Sequence, residues 1–479
     1  MRTILTILLT AAFLTNLASQ TAEEAVNLLE DEQGFGARAT ALGNAYTALA
    51  DDYSAIYYNP AGLARVKIGQ FSGSLSNFKF QTDAKFLGNS FSEDVSSTKL
   101  QHLGLVFPFP VVRGSFVIAL GYQKVKDFDK YLKFNGYREA NNGLAFEFEN
   151  DYGQSNLYGF DEQLQQDATS DAEGSLSQWS FGMAMDFSPN FSAGLSLNIY
   201  SGSRNDNFKY RQDDVNGWNS WYMDSTETVE LQYVYYELEQ KLKSEFSGFE
   251  FNLGGLFDII PQRLKIGANI TFPVSFKVDE NWSANDYLAY DIVRDETSQL
   301  YSAFDDKGNF DYIIKVPFKF SGGLAFNYSL LTISAAVNYQ DWSQLKYEKP
   351  DDRPADQYTD LLSQNNVFKD AFQAVTSYSL GGELNLLDSR LKLRAGYRNA
   401  PSPVKELGAD YNKKYISGGL GYQVDKSTII HLTYVRGSWK SNRNYYYGTF
   451  DDDGYADPLE TTQDIVTSKV LVGIQVNFR

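Results

Sequence analysis

The chain has 479 residues, with 42 Lys and Arg against 60 Asp and Glu, a formal net charge of −18, 15% aromatic residues, two His and no Cys. An acidic balance excludes a phosphate-tracking nucleic-acid binder, which needs clustered Lys and Arg. Without Cys there are no disulfides, Cys-ligated zinc or thiol nucleophiles, and two His leave little material for a metal site or ordinary acid–base catalysis, so no cofactor is expected.

Residues 1–20 place Arg2 before an apolar stretch from Ile4 to Ala18, followed by small and polar residues. That pattern predicts a secretory signal peptide cleaved between Ala18 and Ala22. The stretch is short of the ~20 residues a spanning helix needs. No later stretch is longer, so any membrane insertion has to use strands. Residues 21–65 predict a separate unit. From Glu30 to Arg65 they do not alternate, are rich in Gly and Ala, and end in Asn59-Pro60-Ala61-Gly62. Small residues suit a plug packed in a confined lumen, and an Asn-Pro step resists continuing helix or sheet.

From Val66 onward, at 66–479, apolar and polar residues alternate in repeated runs, the period-two signature of strands. Phe191, Ala193, Leu195, Leu197 and Ile199 share one face, for example, against Ser192, Gly194, Ser196, Asn198 and Tyr200. A soluble sandwich would turn such an apolar face inward, whereas an outer-membrane barrel turns it toward lipid. The connections discriminate, because a membrane barrel separates short periplasmic turns from long outer loops. Short turns fall at 110–114, 188–190, 260–263, 328–330, 387–389 and 425–426, with long polar connections such as 129–175, 279–309, 348–369 and 441–466 between them. The fold class is therefore all-β: a transmembrane antiparallel β-barrel of about fourteen strands with an N-terminal hatch (plug) in its lumen.

The strands are expected near 66–80, 97–109, 115–128, 176–187, 191–204, 244–258, 264–278, 310–327, 331–347, 372–386, 390–400, 413–424, 427–440 and 467–479. Residues 226–243 either extend the sixth strand or form an extra element in its loop. The last strand puts Val470, Val472, Ile474, Val476 and Phe478 on one face, close to the C-terminal pattern read by the outer-membrane assembly machinery. Trp342, Tyr422, Tyr434 and Trp439 suit a headgroup girdle of outer-membrane lipids. The acidic runs at 305–306 and 451–453 read as solvated loop charge in preference to a metal site.

At residues 34–64, GFGARATALGNAYTALADDYSAIYYNPAGLA resembles the hatch of the FadL family of outer-membrane transporters for long-chain fatty acids and other hydrophobic compounds. Similarity continues through residues 247–273, 316–328 and NYQDWSQL at 338–345, and closes with LRAGYRNAPSPV at 393–404. The resemblance implies a fourteen-stranded barrel plugged by its hatch. It also implies capture of a hydrophobic ligand at the outer loops, a site in the barrel, release by hatch movement, and lateral exit beside a kinked strand, here in the third or fourth strand region. Asn59, Pro60, Ala61 and Gly62 are then the hatch and gating candidates.

A fatty acid needs apolar walls and a few cations near its carboxylate. Lys315 and Lys319 lie on the polar face opposite Ile314, Val316, Phe318 and Phe320, and Arg394 and Arg398 lie opposite Leu393, Ala395 and Tyr397. A two-residue hairpin at Asp388-Ser389 sets Glu383 against Arg394, which then reads first as a structural ion pair, and sets Ser379 against Arg398. Matching Leu324 with Ile333 sets Lys319 against Asn338. The ligand-binding candidates are Lys315, Lys319, Arg398 and Arg394. His102 and His431 fit polar lumen positions better than a catalytic pair, and no Gly-x-Ser-x-Gly or comparable constellation points to an enzyme. The leading expectation is a monomeric passive transporter for hydrophobic small molecules in the outer membrane of a Gram-negative-type bacterium. The alternative is a similar barrel serving as a structural or cargo-binding component of protein secretion.

Overall fold

A computed structural model describes residues 21–30, 34–138, 145–149, 155–159, 163–222, 230–292, 297–444 and 460–478. The expected signal peptide at 1–20 and the acidic run at 451–453 lie outside the described residues. Fourteen antiparallel strands close into one barrel. They are β1 (Gly69–Phe86), β2 (Asn89–Phe109), β3 (Phe116–Asp127, resuming at Lys130–Arg138), β4 (Leu164–Ser188), β5 (Phe191–Asp213) and β6 (Glu230–Ile260). They continue as β7 (Leu264–Thr271, resuming at Val274–Ile292), β8 (Thr297–Val316, resuming at Lys319–Tyr328) and β9 (Leu331–Asp341, with Lys346–Glu348 beyond a turn). The last five are β10 (Ala374–Leu386), β11 (Leu391–Ala400), β12 (Lys413–Gln423), β13 (Thr428–Asn444) and β14 (Glu460–Phe478). Each strand pairs with its sequence neighbours, and β1 pairs with β14 to close the wall. No helix among the described residues is long and apolar enough to cross a membrane.

Outward side chains explain why the barrel sits in lipid. Leu253, Phe257, Ile266, Phe320, Leu324, Ile333, Val337, Leu380, Leu420, Leu432, Val472 and Ile474 are exposed. In water such a belt would be an aggregation liability, whereas in acyl chains it is the stabilising face. Tyr422 and Tyr434 are likewise exposed, as a girdle requires. Trp342 and Trp439 correct the expectation. Trp342 is only 3% exposed and packs in a core, and Trp439 meets Phe80 edge-on and Tyr415 at a tilt.

The expected outer loops are in large part strands. β6 has 31 residues and absorbs 230–243, so that part of the ambiguous stretch at 226–243 is a longer strand, while 226–229 lie outside the described residues. A membrane crossing takes only ~9–11 residues, so most of β6 stands beyond the bilayer. The connection expected between the first two strands is a tight turn at Leu87-Gly88, both with positive φ. Residues 359–371 form a helix, α4 (Thr359–Ala371), where irregular loop was expected.

The alternation also slips. Between Asn252↔Thr271 and Phe249↔Ser275, β7 advances one residue more than β6, the signature of a bulge. Pairing of β7 with β8 stops at Thr271↔Lys319 and resumes at Val274↔Val316, so Pro273 stands opposite Pro317. Below this break Asn269 points inward while Phe320 is exposed. Above it Val274, Phe276, Val278, Tyr312 and Ile314 are buried, and Lys277 and Lys315 face out. One slip satisfies two solvents: apolar side chains face lipid in the membrane and face the interior above it.

Candidate functional site

The N-terminal segment fills the lumen. Residues 34–66 contain α2 (Ala37–Ala41), α3 (Ala55–Tyr58) and a 3₁₀ turn at Pro60–Arg65, built around buried Phe35, Leu42, Tyr46, Tyr53, Ile56 and Leu63. The wall receives this hatch through inward glycines: a Cβ on Gly254 would overlap Asn59 Oδ1, and one on Gly267 would overlap the Thr47 carbonyl. Asn59, fully buried, donates from Nδ2 to the carbonyls of Thr47 (2.8 Å) and Gly255 (3.0 Å) on β6, while its Oδ1 accepts from Ala61 N (3.2 Å). Pro60 starts the 3₁₀ turn where its missing N–H costs nothing. Ala61 and Gly62 are buried, and Gly62 lies against the Ala50 backbone.

A charge network ties the opposite side of the hatch to the wall. Arg38 pairs with Asp51 and with Glu383 Oε2 (2.9 Å), and Glu383 also accepts from Arg394 Nε (2.7 Å). Arg394 Nη1 lies 3.1 Å from His431 Nδ1. Glu383 and Arg394 are register partners, as the hairpin arithmetic requires. Arg394 is thus committed to a structural pair beneath the hatch. Burial pushes the Asp51 carboxyl up, but the Arg38 guanidinium, Lys265 and the Tyr46 hydroxyl together hold it below the usual range. Burial raises Asp52, which lacks a direct cationic partner of its own in the same measure. The second histidine, His102, hydrogen bonds Ser72 and Ser74 and stacks on Tyr53, a lumen-filling role.

Above the hatch lies a cavity of about 110 Å³. One wall is apolar, with Leu28, Leu176, Phe272, Val274, Phe276, Val316 and Pro317; the other carries Asn252, Asn269, Lys319, Asn338, Gln340 and Arg398. Of the sequence-derived cations, Lys319 and Arg398 line this cavity together and also share a smaller neighbouring void of about 40 Å³. Arg398 stands opposite Ser379 as expected. Lys319 stands opposite Gln340 and not Asn338, because Ser329 and Leu330 alone make the turn and Tyr328 pairs with Leu331. Lys315 is not at the site. It lies across the alternation slip, faces out, and pairs with Glu348 (3.0 Å). Sequence reasoning missed Glu250, a half-buried carboxylate in the polar wall that accepts from Asn198 Nδ2, Tyr200 OH and Asn252 Nδ2, each 2.9 Å. Its only signal was its inward phase in FEFN.

Beside the cavity, and sharing Phe276 with it, Phe276, Val278, Tyr312, Ile314, Trp342, Tyr347, Phe368 and Phe372 pack as a buried apolar cluster, the vestibule. The first helix, α1 (Ala22–Leu29), lies in it, burying Ala22, Ala25, Val26 and Leu28. Polar contacts hold α1 there: Glu24 pairs with Arg204, Lys126 Nζ donates to the carbonyls of Asn27 and Glu30, and Tyr347 OH donates to Thr21 O (2.9 Å).

A second discontinuity lies between β2 and β3. Their ladder ends at His102↔Gln123, after which β2 pairs with β1 alone and β3 bends at Phe128-Asp129. Side chains lace this seam: Lys99 reaches Asp129, Asp127 and the Gly174 carbonyl, and Ser97 donates to Asp129.

Residues 15–479 match the family described as outer membrane protein transport protein (OMPP1/FadL/TodX). The chain belongs to that family. Solved structures agree on the fold. A Pseudomonas aeruginosa FadL homologue superposes with a TM-score of 0.56 at 13% identity, covering 94% of this chain and 98% of that one. The P. putida toluene transporter TodX gives 0.54 at 14% identity, covering 94% and 100%. The Ralstonia pickettii toluene transporter TbuX gives 0.52 at 15%, covering 93% and 99%. A comparison with curated proteins gave no match. This barrel is therefore an outer-membrane protein of the family that takes up hydrophobic compounds.

Proposed function

We propose that this FadL-family barrel carries small hydrophobic compounds passively across the outer membrane. The ligand enters the vestibule, rests in the cavity between the apolar wall and the Lys319 and Arg398 side, and leaves when α1 and the hatch rearrange. The observation that carries this reading is the alternation slip at Pro273 and Pro317. It lines the space above the hatch with apolar side chains while keeping the lumen below polar, an arrangement with no use in a water-filled pore.

Size supports a one-ring compound over a long chain. An apolar protein cavity of about 150 Å³ accommodates benzene, and the cavity here is of that order, about 110 Å³. A long-chain fatty acid requires α1 to vacate the vestibule, with its carboxylate toward Lys319 and Arg398. Release follows from loosening the Arg38–Asp51–Glu383 network and the Asn59 contacts, and the laced seam between β2 and β3 is the place in the wall for lateral exit. The test is equilibrium binding of labelled toluene and labelled palmitate to the purified protein in detergent, with Lys319→Ala and Arg398→Ala. Toluene binding that survives both substitutions, with palmitate binding weakened by both, supports the reading. Absence of saturable binding of either probe refutes it.

A further inference from the structure

We infer that the wall at Phe272-Pro273 and Pro317-Phe318 is a side port by which hydrophobic molecules dissolved in the outer leaflet enter the cavity directly. The inference rests on the transport reading and adds a second entrance to it, from lipid instead of from the loops.

Backbone bonding is the first ground. The β7–β8 ladder skips from Thr271↔Lys319 to Val274↔Val316, and the β8–β9 ladder skips from Lys319↔Gln340 to Lys315↔Lys346. Among the described residues, Pro317 and Phe318 therefore have no ladder partner on either side. Both prolines lack an N–H, so neither can donate to close the gap. On the β9 side a 3₁₀ turn at Trp342–Gln344 occupies the place where a partner strand would run.

The second ground is what stands on either side of this gap. Phe272, Val316 and Pro317 line the cavity from within. Outside, Phe272 contacts Phe251 (ring centroids 5.2 Å) and Phe318 (5.6 Å), and Phe318 stacks on Phe320 (5.9 Å). Phe318 is 41% exposed. Phe272 thus belongs at once to the cavity lining and to the lipid-facing aromatic cluster. Because no ladder hydrogen bond joins Phe272 to Phe318, turning their rings opens a path through the wall without unzipping a strand pair.

Height is the third ground. Phe318 lies ten residues from Tyr328, the last residue of β8 before the turn, about 33 Å of strand and about 25 Å of depth at the usual tilt, the height of the apolar band. Lys277, Lys315 and Lys346 face outward just beyond it. The port therefore sits where outer-leaflet acyl chains meet headgroups. The β2–β3 seam differs, because ion pairs of Lys99 lace it shut.

The absence of Cys permits a clean test. Phe272→Cys with Phe318→Cys places two thiols across the gap, and oxidation staples it. Initial uptake of labelled toluene would be measured in cells lacking their own hydrophobic-compound barrels, with equilibrium binding measured in detergent. Both readings are taken against the same double variant kept reduced, so that loss of the Phe272 ring from the cavity lining is common to the two states; the expected result is a fall in uptake of roughly five-fold or more on oxidation, reversed by reductant, with oxidised and reduced protein binding toluene equally in detergent, as for a gating element. Phe318→Ala, which removes the cover without a staple, is expected to raise the initial rate. A verified disulfide that leaves uptake unchanged overturns the port alone, as does a staple that lowers detergent binding in proportion to uptake. A parent protein that binds neither toluene nor palmitate overturns the transport reading and the port with it.

Discussion

Asn59→Ala tests how the hatch is held. The substitution removes the Nδ2 donor from the Thr47 and Gly255 carbonyls and the Oδ1 acceptor from Ala61 N, all buried. A buried polar group left unsatisfied costs about 1–3 kcal/mol, and water can re-enter to serve some of them, so a total of about 2–4 kcal/mol is expected. The contact to Gly255 joins hatch to wall, so the loss falls on local hatch opening and leaves the barrel strands alone. In hydrogen exchange this appears as roughly 30- to 700-fold faster exchange of hatch amides, since each 1.4 kcal/mol is tenfold. Ladder amides of β10 to β14 should keep their protection. Hatch exchange changed by less than about three-fold would refute the assignment of Asn59 as a clamp.

Other consequences follow from the same geometry. Glu383→Ala leaves Arg38 and Arg394 facing each other without their shared carboxylate, and should lower stability by about 3–5 kcal/mol, read as a lower temperature for the heat-modified shift on gels. Lys315→Ala should change neither toluene nor palmitate binding, because its partner is Glu348 on the outer face; a weakened site would show that the outward assignment is mistaken. For pH, Asp52 is raised, so its protonation on acidification relieves a buried charge and hatch protection should first rise slightly. Asp51 is depressed, so its stabilising pair with Arg38 persists above the ordinary carboxylate range and is lost as pH falls through its lower folded value. Hatch protection, corrected for intrinsic exchange, should thus fall only below about pH 4. Asp51→Asn should weaken that fall, leaving the part carried by the Arg38–Glu383 pair.

Much of the barrel was legible in the chain itself because lipid imposes a local rule. A strand between water and acyl chains must alternate, and short turns such as Asp388-Ser389 fix its register without help from distant residues, which is why Glu383 met Arg394 as expected. The hatch was legible for a similar reason: Gly, Ala and the Asn59-Pro60 step announce dense packing and a chain that cannot alternate. The same local rule fails where its environment changes. Lys315 and Lys319 share a phase in the sequence, but the ladder break at Pro317 lies between them, and one faces outward and the other into the cavity. A one-residue slip reverses every later side chain, and no count of apolar residues marks where it falls.

Sequence alone therefore determined the number of strands, the membrane face and the hatch, all consequences of local periodicity and small-residue composition. Only the tertiary structure decided that Glu250 joins the site, that Trp342 and Trp439 turn inward, and that α1 occupies the vestibule. It also decided that Pro273 and Pro317 face each other across the wall. Those outcomes depend on which strands are neighbours at a given height, and residues far apart along the chain meet there only when the barrel closes.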